Sequence, residues 1–389
     1  MDYHFDEQID RKNTDCIKWN ASEQDLLPMW IADMDFKAAP AITKALQERV
    51  AHGIFGYTQT PPRFYYAIAQ WWSKRHGFAL QNDWILPVLG VIPALSATIR
   101  ALTAEGDKIL IQPPVYNHFF IAAAHCDRQI IENNLRLDGK HYHIDFEDLE
   151  AKAADPAVKL MLLCNPHNPA GRVWTDEELR RIGAICTKHQ VIILSDEIHS
   201  DLVYQPHKHI PFASLGEEIS LQSVTVSSPS KTFNLAGLQV GYLFSANPDF
   251  RRRIQQVLDA QDTVLLSPFA IEALVAAYSQ GEDWLEALKD YLVDNLAYLT
   301  DFCSTHLPQI TVIPLQATYL VWLDCRSMIT STADFTDKLK HQEKLWLNPG
   351  TMYGEVGEGF LRINIACPRS LLQDGLARLA RCLHTPRKQ

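Results

Sequence analysis

The sequence predicts an α/β fold, with a large domain built on a mainly parallel sheet and a smaller α+β domain. Two observations favour this class. Short apolar runs such as residues 159–164 and 191–194 are typical of strands buried on both faces, and they alternate with amphipathic helical segments. Polar residues directly follow these runs. Because parallel strands bring their carboxyl ends to one edge of a sheet, we expect the functional side chains to lie at that edge.

The length and composition indicate more than one domain. The chain has 389 residues, of which 47% are hydrophobic, enough to bury the cores of about two or three domains. We predict an N-terminal arm with part of the small domain at residues 1–45, a large domain at 46–280 and the C-terminal small domain at 281–389.

Charge and cysteine usage limit the partners. The net charge is −10 and no basic run is longer than the three arginines at 251–253, so we expect no nucleic-acid partner. The first residues lack an apolar signal segment, and no stretch approaches the roughly 18 apolar residues of a membrane span. The eight scattered cysteines indicate free thiols rather than disulfides or zinc ligands. We therefore predict a cytoplasmic protein without a membrane partner.

The first part of the chain is predicted to lead from an irregular arm into helices. Residues 1–27 are polar and contain several turn formers. Residues 28–36 alternate apolar with acidic side chains, which is typical of an edge strand or of a pocket wall. A proline opens a predicted helix at 40–50, and an aromatic-rich helix is predicted at 64–76.

A glycine separates an extended segment at 84–90 from a predicted helix at 91–102. The first amides of a helix lack intrahelical acceptors and lie at the positive end of its dipole. The backbone N–H groups of Val91 and Ile92 are therefore candidates to bind an anion. The same pattern also occurs where a glycine only turns the chain.

Strand and helix patterns then follow one another. Thr175 and Glu178 form a capping-box pattern that predicts the start of a helix ending near His189. The other predicted strands are 108–112, 129–135, 159–164, 191–194, 223–226, 318–323 and 360–365. One further helix is predicted to begin at Tyr116. A helical region in three parts is predicted at 249–301, and a closing helix at 371–384.

The motif at 228–231, Ser-Pro-Ser-Lys, follows the predicted strand at 223–226. A lysine at the end of a buried strand is costly unless its charge is neutralised, paired or used covalently. The hydroxyls of Ser228 and Ser230 can donate to a phosphate, and the Lys231 amine can form a Schiff base with an aldehyde. Pyridoxal 5′-phosphate (PLP) carries both groups. A surface lysine in a polar turn is the alternative.

Several motifs carry a family resemblance. Asn-Pro-His-Asn-Pro-Ala-Gly at 165–171, Asp-Glu-Ile-His at 196–199 and the motif at 228–231 follow one another in the order seen in fold-type I PLP enzymes of the class I/II aminotransferase superfamily. The resemblance covers essentially the whole chain. Residues 29–36, 196–199 and 361–369 are most similar to the MalY/PatB-type cystathionine β-lyases. The resemblance implies a PLP-dependent transferase fold of type I with a large cofactor-binding domain.

The resemblance also implies roles for four residues. Lys231 would bind PLP as a Schiff base and, once released by the substrate amine, remove the Cα proton. Asp196 would keep the ring nitrogen protonated, Asn168 would donate to the cofactor phenolate, and Tyr116 would stack on the ring. The alternatives are a helix-capping carboxylate, a turn asparagine and a core tyrosine.

The substrate side of the site is implied in the same way. Arg362 would bind the substrate α-carboxylate through a bidentate fork, with Ala32 and Asn168 beside it, unless it forms a structural ion pair. His199 replaces a tyrosine of many aminotransferases, so we place it in the cofactor site with its role open. Gln239 replaces the arginine that usually holds the phosphate in aminotransferases. Both departures agree with the lyase branch.

The phosphate contacts indicate a dimer. By resemblance they come from the backbone of Val91 and Ile92, from Ser228 and Ser230, and from a tyrosine of the neighbouring subunit. Tyr57 matches that last position, which implies a homodimer with shared active sites.

The remaining motifs carry no clear chemistry. The histidine pairs at 141/143 and 207/209 lack a third ligand, so we predict surface histidines and no metal. The glycine-rich stretch 354–359 lacks the strand and helix of a dinucleotide site and is predicted to be a flexible loop near the active-site mouth.

The function predicted from the sequence is a PLP-dependent carbon–sulfur β-lyase with an amino-acid substrate. It would cleave L-cystathionine or L-cysteine S-conjugates to a thiol, pyruvate and ammonia. A PLP-dependent aminotransferase with the same residues is one alternative. A regulatory protein that binds a transcription factor and keeps residual lyase activity is another, although a pure binding module has no need of Lys231, Asp196, Asn168 and Arg362.

Overall fold

The computed structural model describes residues 3–21 and 25–384. Residues 1–2 and 22–24 of the predicted irregular arm, and 385–389 of the predicted small domain, lie outside the described residues. The strands are β1 (Leu27–Pro28), β2 (Ile85–Val88), β3 (Lys108–Ile111), β4 (Gln129–Glu132), β5 (Arg136–Asp138), β6 (His141–His143), β7 (Val158–Cys164), β8 (Ile192–Asp196), β9 (Ser223–Ser227), β10 (Gly241–Phe244), β11 (Thr311–Val312), β12 (Leu320–Asp324), β13 (Leu345–Trp346), β14 (Asn348–Pro349) and β15 (Phe360–Asn364).

The helices are α1 (Ile17–Asn20), α2 (Pro40–His52), α3 (Pro62–His76), α4 (Val91–Leu102), α5 (His118–His125), α6 (Phe146–Ala153), α7 (Asp176–Lys188), α8 (Glu217–Leu221), α9 (Pro229–Thr232), α10 (Pro248–Ala260), α11 (Pro268–Gln280), α12 (Glu282–His306), α13 (Thr332–Gln342) and α14 (Arg369–His384). The predicted capping box is present, because Thr175 accepts from the Glu178 amide while the Glu178 side chain accepts from the Thr175 amide. The helix predicted from Tyr116 begins two residues later, at His118.

Seven strands form the larger sheet in the order β2-β10-β9-β8-β7-β3-β4. The strands from β9 to β4 run parallel, and β10 is antiparallel to both of its neighbours. The predicted α/β class with a mainly parallel sheet is therefore confirmed. The register pairs Cys164 with Asp196 and Asp196 with Val226, so the ends of β7, β8 and β9 lie side by side.

The larger sheet is buried on both faces. Leu160 and Leu162 of β7 pack in a cluster with side chains of α4, α5 and α10, whereas Met161 and Leu163 pack in another with α6 and α7. Successive side chains of a strand point to opposite faces, which accounts for this division. A strand covered on both faces has few polar positions, and this explains the apolar run at 160–164 that follows exposed Lys159.

The C-terminal part contains a second, antiparallel sheet in the order β11-β12-β15-β14, packed with α12 and α14. β1 pairs in parallel with β13, which joins residues 27–28 to this part of the chain. The smaller α+β unit of the predicted class is thus present. The boundaries at 1–45, 46–280 and 281–389 stay a prediction.

Residues 29–36, here called the wall segment, do not continue β1 as an edge strand. The Asn364 side chain donates to the carbonyls of Ile31 and Asp33, at 2.7 and 2.8 Å. Because side chains rather than another strand use these acceptors, the segment stays irregular. It lines a cavity instead, which was the second alternative for this stretch.

One other expectation needs correction. His141 and His143 are exposed on β6 as predicted, but His209 is buried, with its Nε2 at 2.7 Å from the Glu197 carboxylate. The prediction of a surface histidine is therefore wrong for His209. The stretch 354–359 contains a 3₁₀ turn at Glu355–Gly357, closed by a hydrogen bond from the Gly357 amide to the Gly354 carbonyl, and its flexibility stays a prediction.

Within the part of the chain that the structure describes, no helix is long and apolar enough to cross a membrane. The eight cysteines are all free, and all but Cys16 are buried.

Glu197, fully buried after β8, holds three groups together. Its Oε1 accepts from the Ser195 hydroxyl and from the Phe212 amide, both at 2.9 Å, and its Oε2 lies beside His209. Buried polar groups need such partners to offset the loss of water. The carboxylate thus fixes the end of β8, which carries Asp196.

We expect Glu197→Ala to lower the free energy of unfolding by roughly 3–5 kcal/mol, because it leaves buried donors without an acceptor. Urea denaturation followed by circular dichroism measures this loss. Glu105 lies exposed in a loop, so Glu105→Ala is the control and should cost less than about 0.5 kcal/mol. A loss below about 1 kcal/mol for Glu197→Ala would contradict the anchoring role.

Candidate active site

A cavity of about 340 Å³ lies at the carboxyl ends of β7 and β8, between the larger sheet and the wall segment. It brings together most of the site residues predicted from the sequence. Those that line it are Ala32, Val91, Ile92, Tyr116, Asn168, Asp196, His199, Ser230, Lys231 and Arg362. Ser228 and Tyr57 are not among its lining residues.

Lys231 lies in the short helix α9, directly after β9. Its Nζ donates to the carbonyl of Ala32 in the wall segment, at 2.7 Å. Burial lowers the pKa of this amine to about 8. The negative charges of Asp33 and Asp196 oppose this shift, and the positive charge of Arg362 adds to it. A large fraction of the amine is therefore neutral just above physiological pH, as a nucleophile or base requires.

Asp196 is the last residue of β8 and is buried at the floor of the cavity. Its Oδ1 accepts from the Ile198 amide at 3.1 Å. Burial raises the pKa of this carboxyl to about 7, and the negative charge of Glu197 adds to the rise. The hydrogen bond from the Ile198 amide and the positive charge of Lys231 oppose it. A cationic partner in the cavity would favour the carboxylate form, so Asp196 is suited to pair with a protonated ring nitrogen.

Arg362 comes from β15 in the smaller sheet and is buried. Its Nη1 donates to Asn168 Oδ1 at 3.0 Å and its Nη2 to the Trp30 carbonyl at 2.8 Å, while the guanidinium lies 4.8 Å from the Tyr353 ring centre. Among the described residues no carboxylate lies within ion-pair distance of Arg362, and its buried Nε has no hydrogen-bond partner. These unused donors favour binding of an external carboxylate over the structural ion pair.

His199 and Tyr116 lie in the cavity with few polar partners. The Nδ1 of His199 is buried and has no hydrogen-bond partner among the described residues. Burial, together with the positive charges of Lys231 and Arg362, lowers the pKa of His199 to about 3. The imidazole is therefore neutral, and its free Nδ1 can donate or accept one hydrogen bond. The Tyr116 ring stacks on His118, with ring centres 5.0 Å apart.

One end of the cavity is suited to an anion. Helix α4 begins at Val91, directly after Gly90, whose φ of +154° lies outside the usual range of side-chain-bearing residues. The first amides of this 12-residue helix lie at the cavity, and Ser230 and Gln239 line it as well. An anionic group would find backbone and neutral side-chain donors there.

The Ser228 hydroxyl has hydrogen-bond partners within the fold, and its expected contact with a phosphate stays a prediction. The hydroxyl donates to the Val240 carbonyl at 2.6 Å and accepts from the Ser230 amide at 3.0 Å. Ser228 thereby caps α9 and fixes the turn that carries Lys231.

The cavity also contains residues that the sequence analysis did not assign. His118 lies two residues after Tyr116, Cys164 ends β7, and Met352 precedes the glycine-rich stretch. Of these three residues, Cys164 could have been assigned to the site from the sequence, because it ends a buried strand directly before the motif at 165–171. No group of three or more His, Cys, Asp or Glu residues in the described ranges is placed to hold a metal ion.

The family follows from comparison with known proteins. The family model for aminotransferase class I and II matches residues 24–379. The chain therefore belongs to the class I/II aminotransferase family, and the family predicted from the motifs is confirmed.

Individual relatives point to one branch of this family. Cystathionine beta-lyase PatB of Bacillus subtilis (strain 168) is 43% identical over 385 residues, covering 98% of this chain and 100% of PatB. Protein MalY of Escherichia coli (strain K12) is 37% identical over 393 residues, covering 99% of this chain and 100% of MalY. The PLP-bound C-S lyase of Staphylococcus hominis, crystallised with the inhibitor L-cycloserine, has a TM-score of 0.92 and 32% identity over 98% of each chain. The MalY/PatB resemblance and the type I fold are thus confirmed.

We expect the Lys231 amine to react with formaldehyde and cyanoborohydride half-maximally near pH 8, because only the neutral amine is nucleophilic and burial has lowered its pKa to about 8. The full-length chain, stripped of aldehydes with hydroxylamine, is labelled from about pH 6 to about pH 11 and analysed by mass spectrometry. Exposed Lys159 is the reference in the same digest. A rate at Lys231 that keeps rising to about pH 10 would contradict the lowered pKa.

Proposed function

We propose that this protein is a PLP-dependent carbon–sulfur β-lyase that cleaves L-cystathionine or related L-cysteine S-conjugates to a thiol, pyruvate and ammonia. The observation that carries the proposal is the cavity in which the Lys231 amine lies with the buried Asp196 carboxyl and the Arg362 guanidinium. The similarity to cystathionine beta-lyase PatB over nearly the full length supports the same activity.

The residues present fit PLP as the cofactor. Lys231 would hold its aldehyde carbon, Asp196 its ring nitrogen, and the start of α4 with Ser230 its phosphate. The Asn168 amide and the unpartnered Nδ1 of His199 are available for the phenolate oxygen. The similar C-S lyase of Staphylococcus hominis was crystallised with PLP bound, which supports this assignment.

The chain's own groups would bind and orient the substrate. Arg362 would take the α-carboxylate with its free donors, while its contacts to Asn168 and Trp30 keep the guanidinium in place. PLP, when bound, supplies an aldehyde for the substrate amine and a ring that accepts the electrons of the Cα–H bond. With these contacts, the Cα hydrogen would lie near the Lys231 amine.

Lys231 would then move the proton. Its neutral amine takes the proton from Cα, the Cβ–S bond breaks, and sulfur leaves with the bonding electrons as a thiolate. The resulting Lys231 ammonium can give its proton to that thiolate, which restores the neutral amine. The remaining three-carbon unit is hydrolysed to pyruvate and ammonia, so atoms and charges balance.

Gln239 supports lysis over transamination. It lines the anion end of the cavity, where the family's aminotransferases usually have an arginine, and it contributes no positive charge. The site can hold the same cofactor through the helix amides, but without a fixed cation at the phosphate.

We also propose that the protein is a cytoplasmic homodimer with shared active sites. Tyr57 is 99% exposed, and Ile54 and Phe55, which shortly precede it in the sequence, are exposed as well. Large apolar side chains exposed in one region are typical of an interface. Eight free thiols fit a reducing compartment such as the cytoplasm.

We expect the purified chain with PLP to release pyruvate and a thiol from L-cystathionine without any keto acid. Coupled lactate dehydrogenase measures pyruvate, and a thiol reagent measures homocysteine. Lys231→Ala should abolish both products, because among the described residues Lys231 is the only lysine that lines the cavity. Turnover that depends on a keto-acid acceptor and yields no thiol would instead identify an aminotransferase.

Arg362→Lys should lower kcat/KM by roughly 10- to 100-fold, mainly through a higher KM, because an ammonium cannot form the bidentate contact with a carboxylate. Arg326→Lys is the control, since Arg326 pairs with Asp324 at the exposed edge of the same sheet. Equal effects of the two substitutions would contradict the role of Arg362.

Tyr57→Phe should weaken PLP binding by roughly tenfold, because it removes one phosphate donor from the partner's site. Equilibrium dialysis measures the affinity, and sedimentation velocity measures the oligomeric state. Exposed Tyr66 gives the control Tyr66→Phe. A monomeric holoenzyme, or unchanged affinity in Tyr57→Phe, would overturn the shared site.

A further inference from the structure

The carbonyl of Ala32, which accepts from the Lys231 amine, lies in a part of the wall segment that is fixed on both sides. On one side, Asn364 of β15 donates to the carbonyls of Ile31 and Asp33, the residues that flank Ala32. Two clamped carbonyls leave the Ala32 peptide little rotational freedom. The Ala32 carbonyl therefore has a defined direction, toward Lys231.

On the other side, two cations of the N-terminal arm hold the acidic residues of the wall segment. Arg11 bonds both oxygens of Asp33, at 2.8 and 3.0 Å, and one oxygen of Asp35 at 2.8 Å. The Lys18 ammonium bonds the other Asp35 oxygen at 2.6 Å and the Asp33 carbonyl at 2.8 Å. The Asp35 carboxylate also accepts from the Trp19 indole at 2.9 Å.

Burial makes this cluster a strict constraint. The Lys18 side chain is 1% exposed and that of Asp35 is 5% exposed. A charge so far from water is tolerated only when its partner stays within hydrogen-bond distance, and separating such a pair costs several kcal/mol. Arg11 and Lys18 therefore cannot release the wall segment without a large loss of stability.

We propose that Arg11 and Lys18 are positioning residues, which hold Asp33 and Asp35 so that the Ala32 carbonyl keeps the Lys231 amine at the place from which it reaches the substrate. Neither side chain lines the cavity, so both act through the wall segment. The kinetic consequence rests on the proposed lyase function. The position of the Lys231 amine does not depend on that function.

The same cluster acts on the amine through charge. The charged groups that influence the Lys231 amine are Asp33 from the wall segment, Asp196 from β8 and Arg362 from β15. Burial lowers the pKa values of His118, at the start of α5, and His199, which follows β8, and the Lys231 charge contributes to both shifts. Of the two carboxylates, Asp33 has the larger effect in raising the pKa of Lys231.

A first experiment tests the link without using the reaction. In the full-length chain stripped of aldehydes, the apparent pKa of Lys231 is measured by labelling with formaldehyde and cyanoborohydride across pH. Asp33→Asn should lower this pKa by roughly half a pH unit or more. The substitution removes a negative charge that stabilises the Lys231 ammonium, and it leaves less negative charge to balance the Arg11 guanidinium. Asp25→Asn is the control, because Asp25 is exposed and pairs with Lys12 in the same arm. An unchanged Lys231 profile in Asp33→Asn would overturn the proposal.

A second experiment separates positioning from folding in the holoenzyme. Arg11→Met should lower kcat at least roughly tenfold with little change of KM, since Arg362 still binds the substrate carboxylate. Arg11→Lys, which keeps the charge, should recover part of kcat, and Lys12→Met, which removes an exposed cation of the same arm, should leave kcat unchanged.

Thermal unfolding and the Lys231 labelling profile accompany these assays. If Arg11→Met lowers the melting temperature while kcat and the Lys231 profile stay at wild-type values, the arm has only a structural role and the proposal is wrong. If the wild-type protein shows no lyase activity, the proposed function fails, while the labelling experiment still decides whether the arm positions the amine.

Discussion

The hydrogen bond from the Lys231 amine to the Ala32 carbonyl is the constraint on which the site depends. It joins residues 199 positions apart and links the larger sheet, through α9, to the wall segment. Burial makes the amine a better base because it disfavours the charged form, and the same burial requires that the amine has a polar partner. The wall segment supplies that partner and in turn needs Asn364 and the arm cations to stay in place. Reactivity at one amine therefore requires order in three parts of the chain.

Asp196 and Lys231 carry out opposite roles with similar pKa values. Burial raises the pKa of the carboxyl to about 7 and lowers the pKa of the amine to about 8, so both groups are close to changing protonation near neutral pH. A bound cofactor with a basic ring nitrogen and an anionic phosphate would favour the carboxylate and the covalent use of the amine. The neighbouring Glu197 is fully engaged with its own partners, so one carboxylate of the pair Asp196 and Glu197 maintains the fold and the other faces the cavity.

The sequence was informative where the chemistry is local. Lys231, Asp196 and Asn168 were predicted at or just beyond strand ends because buried apolar runs stop a few residues before them. The register of β7, β8 and β9 confirms that these ends are adjacent. It was uninformative where the partner is distant. Nothing near Arg11 or Lys18 indicates contact with Asp33 or Asp35. His209 follows His207 and Lys208 in a polar stretch although it is buried, and the hydroxyl of Ser228 has many possible partners. Such contacts depend on tertiary placement, which local pattern does not encode.

The contact between Ile31 and Asn364 has a consequence for how the protein is made. These residues are separated by 333 positions, so the Ile31 carbonyl lacks its hydrogen-bond donor, the Asn364 side chain, until β15 has been synthesised. Loop closure over such a distance is slow, and the larger sheet can form before it. A ribosome-bound chain would thus carry a folded larger sheet while its reactive lysine still lacks a fixed neighbour, and completion of the catalytic cleft becomes one of the last events of biosynthesis.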